Sequence, residues 1–145
     1  MSSASAPFPV GVIGAGAMGM GVVKSLRRAG FPTHVRDIRP EVHVQASALG
    51  AQCHPSAVAL VAHCAVTWIV VVDADQVNDV LFGEGGAATA LAGGRIVVLA
   101  STVDPDFVAA LGPRIAQAGG ELVDAPISGG PARAADGTMT VMAAG

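Results

Sequence analysis

The sequence predicts an α/β fold, a doubly wound and mostly parallel sheet with helices on both faces, and three observations predict it. Strand-like and helix-like segments alternate along the 145 residues, which is the trace a parallel sheet with crossover helices leaves in a chain. Hydrophobic residues make up 52% and charged residues only 13%, so many segments must be covered from two sides, as strands between two helical layers are. A glycine-rich turn, Gly14-Ala15-Gly16-Ala17-Met18-Gly19, lies directly between the first strand signal and the first helix signal.

Each element has its own reason. Residues 9–13 are a short apolar strand, after which Met18, Val22 and Leu26 recur at helical spacing until Gly30 stops the helix. Residues 33–37 form the second strand. Pro40 suits the opening of a second helix that closes near Gly50, and residues 51–53 make a short third strand. Pro55 begins a third helix, followed at 66–72 by a β-branched run fit for a central strand. Residues 75–82 place Val77, Val80 and Leu81 on one helical face with Gly83 at the end, and 95–99 is another buried strand. Asp104 and Pro105 announce a further helix, which Gly112 and Pro113 are expected to bend or interrupt. Residues 121–124 and 138–142 supply the last strands.

Length and charge narrow the function classes. One domain is expected, residues 10–145, with 1–9 as a loose tail that has neither the positive start nor the apolar stretch of a secretory signal. The net charge of -3, with scattered Lys and Arg, offers no basic stripe for nucleic acid. The apolar run 58–72 is too short for a membrane span and carries His63 midway, so no membrane role is expected, and a cytoplasmic location follows as the expectation. Cys53 and Cys64 flank His54 and His63 at a spacing that matches no zinc pattern; idle thiols are expected, and no metal.

The glycine turn carries the binding chemistry. Gly14 permits a tight turn, Gly16 removes a side chain where a pyrophosphate must approach the backbone, and Gly19 lets the helix pack on the sheet. Helix-terminal amides over Ala15, Ala17 and Met18 then face the phosphates. Asp37 ends the second strand at the distance where a carboxylate accepts hydrogen bonds from an adenosine ribose. This is the pattern of a Rossmann domain, and NAD is the expected cofactor because the Asp37 charge repels a 2′-phosphate. Arg36 and Arg39 flank it and keep NADP as the alternative, while FAD and S-adenosylmethionine share the same turn. Three further loops, Asp73-Ala74, Ser101-Thr102-Val103 and the stretch from Asp124 to Gly130, follow strands and should meet at the same carboxyl edge. In the last, Ser128, Gly129 and Gly130 offer a hydroxyl and amides to a substrate carboxylate, or else form a plain Pro/Gly turn.

The stretch GVIGAGAMGMGVVKSL, then Asp37, then DAPISGG followed by GTMTVMAAG, resembles the β-hydroxyacid dehydrogenases over nearly the whole chain after the tail. The details MGMG, VLFGEGG and DGTMTVMAAG are most similar to the branch acting on a four-carbon sugar acid. The resemblance implies that Gly14, Gly16 and Gly19 hold the pyrophosphate, Asp37 the ribose, that Thr102 lies beside the nicotinamide end, and that Ser128, Gly129 and Gly130 bind substrate. It also implies a further all-helical domain carrying a catalytic lysine, a nearby asparagine and homo-oligomer contacts. The single lysine here, Lys24, sits on the first helix one turn past the glycines and reads as a solvated charge, so no catalytic residue is expected in these residues. The expected function is the NAD-binding part of an enzyme that oxidises a small hydroxyacid; the alternative is a non-catalytic NAD-binding or scaffold module. The family has another residue where Gly21 stands, and the sequence attaches no role to that departure.

Overall fold

The computed structural model describes residues 7–144. Most of the expected tail, residues 1–6, and the final glycine, Gly145, lie outside the described residues. The elements run β1 (Val10–Ile13), α1 (Ala17–Arg28), β2 (Thr33–Arg36), α2 (Pro40–Ala48), β3 (Gln52–Cys53), α3 (Ala57–Val61), β4 (Val66–Ile69) and α4 (Ala74–Phe82). After a 3-10 turn at Ala87–Ala90 come β5 (Ile96–Leu99), α5 (Pro105–Gln117), β6 (Glu121–Asp124), β7 (Ile127–Ser128), α6 (Gly130–Asp136) and β8 (Thr140–Val141).

Six strands form one parallel sheet in the order β3-β2-β1-β4-β5-β6. Chain direction across the sheet reverses between β1 and β4, and in open α/β sheets the ligand crevice opens at such a switch point. Side chains alternate along each strand, so neighbours enter different layers. Val12 joins Val22, Val23, Val35, Val42 and Ala46 under α1 and α2, whereas Ile13 joins Leu60, Ile69, Val77, Leu81, Leu111 and Ile115 under α3, α4 and α5. The doubly wound architecture expected from the alternation is therefore present, with a core on each face of the sheet.

Several boundaries differ from expectation. The run 66–72 is a strand only to Ile69, because its backbone amides are then diverted: Val70 N–H still donates to Ile13 O at 2.8 Å, but Val71 N–H donates to Ser101 Oγ at 3.0 Å and Val72 N–H to Gln76 Oε1 at 2.8 Å. Helix α3 begins at Ala57 rather than Pro55, since Ser56 Oγ accepts the Ala59 N–H at 3.2 Å and fixes the cap. Gly112 and Pro113 do not interrupt α5, which runs on to Gln117. Pro113 stands on the exposed face while Leu111 and Ile115 hold the buried one, so water solvates the carbonyl that loses its partner. The expected last strand, 138–142, shrinks to Thr140–Val141 and pairs antiparallel with Ile127–Ser128 in a separate two-stranded sheet. Helix α6 was not expected, although Pro131 in its first turn and Gly137 at φ 74° past its end are ordinary start and stop signals.

No helix among the described residues is long and apolar enough to cross a membrane. Cys53 and Cys64 are free, and burial pushes the Cys64 thiol up to about 12, which leaves it protonated and inert.

Candidate functional site

A groove of about 820 Å³ opens at the carboxyl ends of β1, β2 and β4. The glycine turn forms its floor, and each glycine has a different reason to be there. Gly14 has φ 89°, and a Cβ on it would overlap the Val70 carbonyl oxygen. A Cβ on Gly19 would overlap the Gly14 oxygen. Gly14 is thus closed by the chain leaving β4, and Gly19 by the packing of α1 against the turn. Gly16 is open: a Cβ there would meet only Arg39 Nη2, at 3.6 Å. Nothing in the protein's own packing demands that glycine.

Gly16 is also the N-cap of α1 and supplies no side-chain cap, and the first turn carries no acidic residue. By contrast, Ser56 caps α3, Asp73 caps α4 and Asp104 caps α5 through side-chain oxygens. The first-turn amides of a helix have no intrahelical acceptor; at α1 they face the groove without a protein partner from the cap. Bare amides at the positive end of a 12-residue helix suit a diphosphate.

Asp37 lies one residue past β2 and is only 7% exposed. Its Oδ2 accepts the Ala15 N–H at 2.9 Å, tying the acid to the glycine turn. Its Oδ1 accepts the Arg39 backbone N–H at 2.9 Å, and the Arg39 guanidinium spans both oxygens at 3.0 and 3.1 Å. Burial pushes the Asp37 carboxyl up, but the Arg39 side-chain hydrogen bond, the Arg39 and Ala15 amides and the Arg39 charge together outweigh it, and the net shift is downward. The acid is a buried, ionised acceptor and not a solvated strand end.

The structure gathers Gly14, Gly16, Asp37 and Asp73 on this groove. Asp73 spends one oxygen on its own helix, accepting the Gln76 N–H at 2.9 Å. Ala15 and Ala17 face a neighbouring hollow of about 490 Å³ between α1, α2 and α6, together with Lys24, which is exposed. Met18 and Gly19 lie in the first turn of α1, Gly19 buried. Ala74 and Thr102 follow β4 and β5 at the same edge but do not line the groove. Ser128 and Gly129 are exposed at the tip of the small sheet, and Gly129 and Gly130 have φ 114° and 81°. Ser128, Gly129 and Gly130 do not line the groove.

Sequence reasoning missed the walls. Ile38 and Val72, 83% and 80% exposed, present apolar side chains to the groove, and Pro55, Ser56 and Gln76 complete that end. An apolar Ile directly after Asp37 was the available signal, since ligand pockets are lined largely by apolar side chains. Gly21 was also missed. A Cβ there would sit 2.7 Å from Ala134 Cβ and 2.9 Å from Ala135 N, so Gly21 is what lets α6 lie against α1. Ser25 Oγ and the Arg28 guanidinium then donate to the carbonyls of Ala134 and Ala135.

Sheet order, bare helix terminus and the buried acid after β2 together define a dinucleotide-binding domain of the Rossmann class. Residues 9–145 match the model of the NAD-binding domain of 6-phosphogluconate dehydrogenase, and the chain belongs to that family. It is 50% identical over 137 residues to L-threonate dehydrogenase of Cupriavidus necator, covering 94% of this chain and 46% of that protein. A solved 3-hydroxyisobutyrate dehydrogenase from Salmonella typhimurium superposes with a TM-score of 0.89 at 37% identity, over 95% of this chain and 48% of the other. A third similar structure, Psf3 in complex with NADP+ and 2-OPP, has a TM-score of 0.87 at 30% identity, over 92% of this chain and 48% of that one. The chain thus spans about half the length of the relatives it matches. Hydroxyacid dehydrogenases are among its homologues, and the cofactor class is a nicotinamide dinucleotide.

Proposed function

We propose that this groove holds NAD and that the chain is the cofactor half of an enzyme that oxidises a small hydroxyacid, a sugar acid such as L-threonate. The observation that carries the reading is Gly16, an open glycine that the fold does not require, set where the amides of α1 converge. In the proposed complex the first-turn amides take the pyrophosphate, Asp37 takes the adenosine ribose, and Ile38 and Val72 flank the adenine. The residues around Asp73, Ala74 and Thr102 lie toward the nicotinamide ribose and ring. When bound, the nicotinamide supplies the hydride acceptor.

All four lone-pair positions of the Asp37 carboxylate are already used, two by backbone amides and two by Arg39. A ribose diol therefore docks by displacing the Arg39 guanidinium, whose side chain is half exposed and free to swing away. The released Arg39 is then the group that would meet a 2′-phosphate, but the ionised Asp37 beneath it opposes one, which favours NAD over NADP.

Titration calorimetry with the two dinucleotides tests the reading. NAD is expected to bind and NADP to bind more weakly; a folded sample that binds neither overturns it. Asp37→Asn should lower NAD affinity between about tenfold and a hundredfold, the value of charge-assisted hydrogen bonds, and shift the preference toward NADP.

For the substrate, Ser128, Gly129 and Gly130 are proposed to receive the carboxylate. Hydride transfer also needs a proton acceptor within hydrogen-bond reach of the substrate oxygen, and the single lysine, Lys24, stands exposed on α1. The 145 residues alone are therefore expected to bind cofactor with little or no turnover of L-threonate or 3-hydroxyisobutyrate. Robust turnover would show that another group acts as the base. The placement of Lys24 also favours a second reading, a non-catalytic NAD-binding or scaffold module, against which the Ser128 loop stands.

A further inference from the structure

Three histidines outside the described site come together under α3. His34 sits on β2 opposite Gly11 of β1, His54 follows β3, and His63 follows α3. Their ring centroids are 5.0 Å apart for His34 and His54, 5.0 Å for His54 and His63, and 5.8 Å for His34 and His63. His34 Nδ1 and His54 Nε2 are 2.8 Å apart, so a single proton joins the two rings. Both are buried, 8% and 6% exposed, whereas His63 is exposed and donates from Nδ1 to Ala59 O at 2.8 Å. A positive charge on either buried ring would lie 5.0 to 5.8 Å, centre to centre, from the other two rings.

The surroundings offer no compensation for added charge. On β1 the facing residue is Gly11. Helix α3 and its end bring His63 and the protonated Cys64 thiol, the guanidinium of Arg95 is anchored on Ala62 O, and α2 brings His43. No carboxylate acts on either buried ring among the described residues. Burial lowers His34, with His63 adding to the fall; burial also lowers His54, with His34, His63 and His43 adding to it.

The cluster is joined to the groove by the shortest possible link. Pro55, Ser56 and Ala57, directly after His54, line the groove wall, and Asp37 is three residues beyond His34. His54 N–H donates to Val35 O at 3.0 Å, so the same residue pins this segment to β2. We propose that the His34–His54–His63 cluster is a proton-operated latch: neutral, it holds the 54–57 wall against β2, and protonated, it releases that wall and weakens dinucleotide binding. The ligand half of this inference rests on the groove being the dinucleotide site.

The sign follows from the direction of the shifts. Groups held below their ordinary 6.5 bind fewer protons in the latched state than when released. The latch is therefore fully stable above about pH 6.5 and loses stability as pH falls from there toward the lowered values. Asp37, held below the ordinary carboxylate range, stays ionised throughout.

Two measurements on the full chain, with His54→Gln as the comparison, test the latch. Amide hydrogen exchange at residues 54–58, corrected for its intrinsic pH dependence, should accelerate below about pH 6.5 relative to β1 in the wild type and stay level in His54→Gln. Calorimetric NAD affinity should be flat near pH 8 and fall toward about tenfold per pH unit for each proton taken up in acid, with less than about a threefold fall in His54→Gln. If NAD fails to bind at pH 8, the groove reading fails while exchange still decides the latch. Exchange that does not change with pH in the wild type overturns the latch itself. Should His54→Gln not fold, His63→Asn on the surface gives a shallower acid fall by removing one repelling ring. His43 accepts the Asp37 N–H at 3.0 Å, so His43→Asn is the control: an acid response that vanishes there but survives in His54→Gln overturns the proposal.

Discussion

The glycine turn and the Ser128 loop both follow strands, both carry glycines at positive φ, and they are held in opposite ways. The turn leaves β1, a strand paired on both sides by β2 and β4, and its closing contacts are backbone to backbone. The Ser128 loop leaves a two-residue strand in a two-stranded sheet whose other strand is exposed, with Val141 at 40% and Met142, just past it, at 59%. Its anchor is indirect: α6 is pinned to α1 through Gly21, Ser25 and Arg28, and Asp124 and Ala144 exchange two hydrogen bonds of 2.7 Å beyond it. The difference teaches that the glycine turn is fixed by the main sheet itself. The loop proposed for substrate takes its position from α6 packed on α1 on one side and from the Asp124–Ala144 pair on the other.

The largest effect expected from this contrast is at Gly14. An alanine there meets two penalties, a positive φ that costs about 1–3 kcal/mol for a residue with a Cβ and an overlap with the Val70 carbonyl, which is backbone and cannot turn aside. Gly14→Ala should lower unfolding stability by roughly 3 kcal/mol and abolish NAD binding; chemical denaturation and calorimetry read the two. Wild-type stability in that variant would show that the turn is not locked.

A smaller and more local effect is expected at Gly21. The added methyl crowds Ala134 Cβ and the Ala135 nitrogen, but α6 is a seven-residue helix at the surface and can shift. Gly21→Ala should cost about 1–2 kcal/mol, open residues 127–144 to faster hydrogen exchange, and leave NAD affinity within about threefold, as roughly 0.65 kcal/mol would. Equal exchange in the two regions would mean that the loop is not held through α1.

The same contrast explains how much of the molecule was legible in the sequence. The glycine turn, Asp37 and the strand-helix alternation were readable because each depends on local backbone geometry or on side-chain periodicity, which neighbouring residues encode. Gly21 was not, because its reason is Ala134, more than a hundred residues away, and no local pattern reports a close helix crossing. Arg39 was seen as a group near a 2′-phosphate, but its double clasp on Asp37 depends on the turn after β2. The histidine pair His54 and His63 was weighed as metal ligands by spacing, and His34, the ring that makes them a cluster, enters from another strand. Pro113 misled for the opposite reason: its helix-breaking rule is local, and solvent exposure of that face relaxed it.

The smallest effect, and the sharpest test of the separation between the two regions, is at Ser128. Its side chain is exposed and its hydroxyl makes no hydrogen bond among the described residues, so the fold has no use for it. Ser128→Ala should change unfolding stability by less than about 0.5 kcal/mol, the range of surface substitutions away from structural features, and NAD affinity by less than about twofold. In an enzyme that contains this domain, the same substitution should raise KM for the hydroxyacid while the cofactor's KM stays put, because a hydroxyl that serves neither the core nor the groove can act only on what arrives from outside. A loss of NAD affinity comparable to that of Asp37→Asn would instead place the loop over the dinucleotide, and the two regions would have to be read as one site.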